Sequence, residues 1–122
     1  MPSKGPVNIS MIEGLRKTFE EAIGNSLGVS AKEAIIFHLR NRLGGDPFQV
    51  LWENPLAFYK ELETIFGSGA IFLIKLFVDG LNKKFNSKHS PETFLKFLTA
   101  NDKRLLAEWH KLLENILTQT KA

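Results

Sequence analysis

Apolar residues return along this chain every three or four positions, which is the spacing of one helix face. No stretch shows the strict alternation of a half-buried strand. A first helix is expected over residues 9–27, with Ile12, Leu15, Phe19 and Ile23 inward and Glu13, Arg16, Lys17, Glu20 and Glu21 outward. Gly24 weakens it and Gly28 stops it. A second helix starts at Ser30-Ala31-Lys32-Glu33, which fits a capping box with Val29 and Ala34 as the hydrophobic staple. Its buried side is Ile35, Ile36, Leu39 and Leu43, and Gly44-Gly45 ends it. Three later starts share one logic, a capping side chain followed by proline: Asp46-Pro47, Asn54-Pro55 and Ser90-Pro91. The first opens a short, bulky helix over 48–52 that plugs the bundle. The second opens a helix over 55–66. The third opens one marked by Phe94, Leu95, Phe97 and Leu98. Asn101-Asp102 breaks the chain before a last helix over 102–118.

One stretch organises the rest. In residues 69–85, Ala70, Ile71, Phe72, Leu73, Ile74, Leu76, Phe77, Val78 and Leu81 cover most of a helix circumference. Such a helix belongs inside a core or a membrane. Lys75, Asp79, Asn82, Lys83 and Asn86 form the only strip expected to reach water. The predicted fold is therefore all-α: a single-domain bundle of about six helices wrapped around a buried central helix. Residues 1–8 form a loose tail, and 9–122 form the domain.

Composition narrows this picture in a few places. With 122 residues the chain is one domain with a sizeable core. Phenylalanine stands at ten against one tyrosine and two tryptophans, so most of the aromatic area has no polar handle and belongs inside. Cysteine is absent, which excludes disulfides, thiolate metal sites and a cysteine nucleophile. The opening MPSKGPVN has no apolar signal region, and the apolar run ending at Lys75 is too short for a membrane span. The expected location is cytoplasmic. A net charge of +3 is too small to argue for nucleic acid by itself.

No arrangement of reactive groups stands out. His38, His89 and His110 fall on separate elements without ligand spacing, so no metal or other cofactor is expected. No pair of carboxylates is placed to converge on one cleft. Gly67-Ser68-Gly69, at the start of the central helix, is a candidate anion site, because free N–H groups and the dipole converge there. The plainer reading is a helix–helix corner capped by Ser68. The helices over 9–27 and 30–43 have a helix-turn-helix layout. Yet the second offers only Lys32, Arg40 and Arg42, interrupted by Ile35, Ile36 and Phe37. In the last helix Leu105, Trp109, Leu112 and Ile116 approach heptad spacing, flanked by Leu106 and Leu113. This stripe either closes the bundle or pairs with a second copy.

The runs AKEAIIFHLRNRLG, ENPLAFYKELETIFGSGA and KLFVDGLNKKF, within residues 30–86, resemble a family of small all-helical archaeal proteins, the nitrosopumilus-type output domain. The likeness lies in Lys32-Glu33-Ala34-Ile35 with His38-Leu39, in the Asn54-Pro55 segment ending Ile65-Phe66-Gly67-Ser68-Gly69-Ala70, and in Lys75-Leu76. It implies an output module in archaeal signalling or gene regulation, without catalytic residues.

The expected function is a non-enzymatic interaction module, a homodimer that presents an apolar helix surface of Leu105, Trp109, Leu112 and Ile116 to a protein partner. Two alternatives stand beside it. One is a DNA-binding regulator using Lys83, Lys84, Lys88, Lys103, Arg104 and Lys111. The other is a carrier of an apolar ligand near Phe72 or Phe77.

Overall fold

Three of the helices begin where a capping side chain precedes proline, and in each the cap is made. The computed structural model describes the backbone of residues 5–119 and the side chains of 9–119. Its helices are α1 (Gly5–Leu27), α2 (Val29–Leu43), α3 (Pro47–Glu53), α4 (Pro55–Phe66), α5 (Gly69–Phe85), α6 (Pro91–Leu98) and α7 (Leu105–Leu117). Asp46 Oδ1 accepts from the Phe48 N–H at 3.0 Å, Asn54 Oδ1 from Ala57 at 3.2 Å and Ser90 Oγ from Thr93 at 3.2 Å. Each proline sits at N1, where its missing N–H has no intrahelical partner to lose. No strand occurs among the described residues. None of the described helices is long and apolar enough to cross a membrane.

Several boundaries differ from the sequence reading. α1 begins at Gly5 rather than residue 9, so part of the expected tail is helical, and residues 1–4 lie outside the described residues. The capping box at Ser30 is not formed. Gly28, at φ 97°, turns the chain in a single residue, and its carbonyl already accepts from the Lys32 N–H at 3.0 Å. Ser30 is thereby drawn into the first turn of α2 and caps nothing. α7 starts at Leu105, three residues beyond the expected 102.

Helix α5 packs against α1, α4, α6 and α7. Ala70, Leu73, Ile74, Phe77, Val78 and Leu81 are buried. Aromatic rings link the layers through it. Phe19 of α1 touches Phe48 and Phe58 on one side and Phe77 on the other, at centroid distances of 5.4, 6.1 and 5.6 Å. Phe77 continues to Phe94 at 6.3 Å, and Phe94 to Trp109 at 5.7 Å. The sheath around α5 is nonetheless incomplete. Ile71 and Phe72 are 40% and 50% exposed. Helical spacing places 71, 72, 75, 79 and 83 on one side, so the wet strip runs one turn further toward the N-terminus than the polar residues indicated.

Candidate binding groove between α4 and α7

The short helix α3 is fastened at both ends by side chains from outside it. At its start, Asp46 caps Phe48 and also takes Arg16 of α1 bidentately, with Nη1–Oδ1 at 3.1 Å and Nη2–Oδ2 at 2.7 Å. The guanidinium carbon also lies 5.4 Å from the centre of the Phe48 ring. Partial burial works against the Asp46 charge. The bonds from Arg16 and from the backbone N–H groups of Phe48 and Gln49 outweigh it, and its pKa falls below the usual carboxylate value. At the other end, α7 supplies two consecutive side chains. The buried Trp109 Nε1 donates to the Leu51 carbonyl at 2.9 Å. His110 Nε2 lies 2.8 Å from the Trp52 carbonyl. Late carbonyls of a helix have no partner within it, and these two are taken up from α7.

This fastening sets the walls of a groove of about 330 Å³. Its apolar lining comes from Leu56 of α4, Phe97 of α6, and Leu105, Leu106 and Trp109 of α7. Its rim is polar, with Asn54 and Glu53 at one lip and Asp102 and Lys103 at the other. Asn54 fixes the first lip twice over: its N–H closes α3 on the Val50 carbonyl at 2.6 Å while its side chain caps α4. Asp102 shapes the second. It accepts from the Arg104 N–H at 3.0 Å and from the Arg104 guanidinium at 3.2 Å, and those bonds hold its carboxyl below the usual range.

The expected interface residues are divided by this arrangement. Leu105 and Trp109 line the groove, and Leu112 is half-buried on the flank. Trp109 and Ile116 are 0% exposed inside this protomer's own core. Trp109 and Ile116 therefore close the bundle, while Leu105 and Leu112 stay partly exposed. The outward residues of α7 are Ala107, Glu108, Lys111, Glu114 and Asn115. At Gly67-Ser68-Gly69, the Ser68 side chain caps nothing. Gly67, at φ 58°, makes the turn, and its carbonyl accepts from the Ala70 N–H at 3.1 Å. This is the helix corner, with the cap supplied by backbone rather than by Ser68.

The alternatives fare unequally. Of the basic residues offered for DNA, Lys84 pairs with Glu21 and Arg104 with Asp102. Phe77 is enclosed by Phe19 and Phe94, and Phe72 points to the surface, so neither marks an internal cavity for an apolar ligand. Among the described residues no group of three or more His, Asp or Glu side chains could hold a metal ion. The groove itself escaped the sequence reading, since its walls come from segments some fifty residues apart. The only trace was that helix breaks at Asn54 and at Asn101-Asp102 form both of its lips.

No family model matches the chain, and neither a curated protein nor a solved structure matches it. The likeness of residues 30–86 to the archaeal output domain rests on the quoted motifs alone.

Proposed function

We propose that this protein is a non-enzymatic binding module that receives an apolar anchor of a protein partner in the groove between α4 and α7. The observation that carries the reading is the pairing of an apolar floor at the partly exposed Leu56, Leu105 and Leu106 with a polar rim at Asn54, Asp102 and Lys103. Interfaces concentrate their energy where one or two large side chains enter a desolvated pocket ringed by polar groups. The layer behind this floor is fixed, because the buried Trp109 is held by its bond to Leu51, so little ordering entropy is lost on binding. The partner supplies the protruding side chain and this chain supplies the socket. The resemblance to a signalling output domain agrees with such a role. Self-association through the α7 stripe is not part of it.

The test is selection of binding peptides from a random library, followed by calorimetry on native protein, Leu105→Lys and the rim variant Lys103→Glu. Peptides that use the groove lose at least tenfold in affinity with Leu105→Lys, provided its near-ultraviolet circular dichroism is native. Peptides that bind all three proteins alike would sink the proposal.

A further inference from the structure

Helix α5 leaves one face unpacked. Ile71, Phe72, Lys75, Asp79 and Lys83 are exposed, and at the spacing of an α-helix these five fall within an arc of about 120°. Ile71 and Phe72 are 40% and 50% exposed, two large apolar side chains next to each other at the surface. The charges of this face are unspent. Lys75, Asp79 and Lys83 make no salt bridge among the described residues. Lys75 and Asp79 stand four apart in the less favourable order, and they do not pair with each other.

This face is complementary to itself. Lys75 and Asp79 lie at equal distances either side of Phe77 along the helix. A second α5 laid against the first, antiparallel and about a two-fold axis at that level, brings Lys75 level with Asp79 of the second copy and Asp79 level with its Lys75. Phe72 then comes within about 1.5 Å, one residue's rise, of the level of Lys83 of the second copy. Such an axis keeps each residue on its own side of the line of contact, and Phe72 and Lys83 point within about 20° of each other. Both central charges therefore meet their opposites, and each exposed ring meets an ammonium. A parallel pairing would set Lys75 against Lys75 and Asp79 against Asp79.

We propose that the exposed face of α5 docks on the same face of a second copy of this chain, as an antiparallel two-fold pair. Phe72 and Ile71 supply the apolar contact, and Lys75, Asp79 and Lys83 fix direction and register. A helix of 17 residues is about 25 Å long, so the contact belongs to the small, weak class of interfaces. The chain is then monomeric at the low micromolar concentrations of unfolding measurements and dimeric toward millimolar. None of these residues lines the groove between α4 and α7, so the pairing does not rest on that reading.

Sedimentation equilibrium of the full chain from about 10 µM to about 1 mM tests this, with a dimer dissociating at about 100 µM expected. Lys75→Asp and Asp79→Lys each set like charges together at two places, and each is expected to weaken the dimer about tenfold. The exchange of both, Lys75→Asp with Asp79→Lys, rebuilds both pairs in reverse and is expected to dimerise within about threefold of native. Phe72→Ala is expected to weaken the dimer at least about fivefold. All three positions are exposed, so each variant keeps a native near-ultraviolet circular dichroism spectrum. A native chain that stays monomeric at 1 mM overturns the proposal. So does a dimer that the single reversals leave unchanged, or one that the exchange fails to restore. A monomeric chain that binds phosphatidylglycerol vesicles, and loses them with Phe72→Ala, also overturns it and assigns the face to an anionic lipid surface.

Discussion

The imidazole of His110 lies flat on the indole of Trp52, with 4.1 Å between ring centres and 10° between planes, while its Nε2 reaches the carbonyl of that same residue at 2.8 Å. One side chain thus both stacks on Trp52 and takes up a carbonyl at the end of α3. Its neighbour Trp109 does the parallel task for Leu51. Trp109→Phe keeps most of the apolar contact but leaves the Leu51 carbonyl without its buried donor, which costs about 1–3 kcal/mol. Urea denaturation with an unchanged slope would register it as a lower midpoint. His110→Ala, at a half-buried position, is expected to cost about 1 kcal/mol.

Burial along α5 predicts opposite outcomes for two phenylalanines five residues apart. Phe77 is 1% exposed between Phe19 and Phe94, and its truncation to alanine is expected to cost about 3–5 kcal/mol. Phe72 is 50% exposed, and Phe72→Ala is expected to cost less than about 1 kcal/mol. Equal losses by chemical denaturation would mean that Phe72 is covered in solution.

Two helical glycines separate space from propensity. At Gly24 a Cβ would meet nothing nearer than Lys32 Cδ at 3.7 Å. Gly24→Ala is therefore expected to stabilise by up to about 1 kcal/mol. At Gly80 the 3.0 Å approach to Ala22 Cβ, fixed on the α1 backbone, forces the two helices apart. Overpacking of about 1–3 kcal/mol then exceeds the propensity gain, and Gly80→Ala is expected to melt lower than native. Calorimetry on the two variants checks the contrast.

The bond between Arg16 and Asp46 has a defined acid response. Asp46 has a lower pKa folded than unfolded, so its contribution is fully present above the unfolded value of about 3.9. It is lost as pH falls through the depressed folded value. Asp46→Asn keeps an acceptor for the Phe48 N–H but has no charge to titrate. Its urea midpoint is expected to lie below native at pH 7 and to approach native as pH falls through the depressed folded value.

Much of the fold was legible because its signals are local. A capping oxygen and a proline act within one turn, so Asp46-Pro47, Asn54-Pro55 and Ser90-Pro91 read correctly. The limits of α5 were equally plain, set by Gly67 before it and by Asn86 after it, in a left-handed conformation at φ 55°. What sequence could not give depended on neighbours. Nothing in Ser30-Ala31-Lys32-Glu33 reveals that Gly28 has already turned the chain. An apolar stripe on α7 reads alike whether it faces its own core or a second copy, and only burial shows that Trp109 and Ile116 turn inward. The groove joins distant segments, and its one advance sign was the pair of helix breaks at its lips. The close approach of α1 to α5 was marked by a glycine at position 80 inside an otherwise strong helix.

Helix α3 spans only seven residues, too few to persist in water unaided. One of its ends is gripped from the first helix of the domain and the other from the last. During synthesis Phe48 can meet Phe19 and Phe58 early, but the far end of the plug lacks its partners until α7 has left the ribosome, and Trp52 must wait without His110 over its ring. A chain cut short before residue 105 should therefore bind chaperones rather than persist as a smaller bundle.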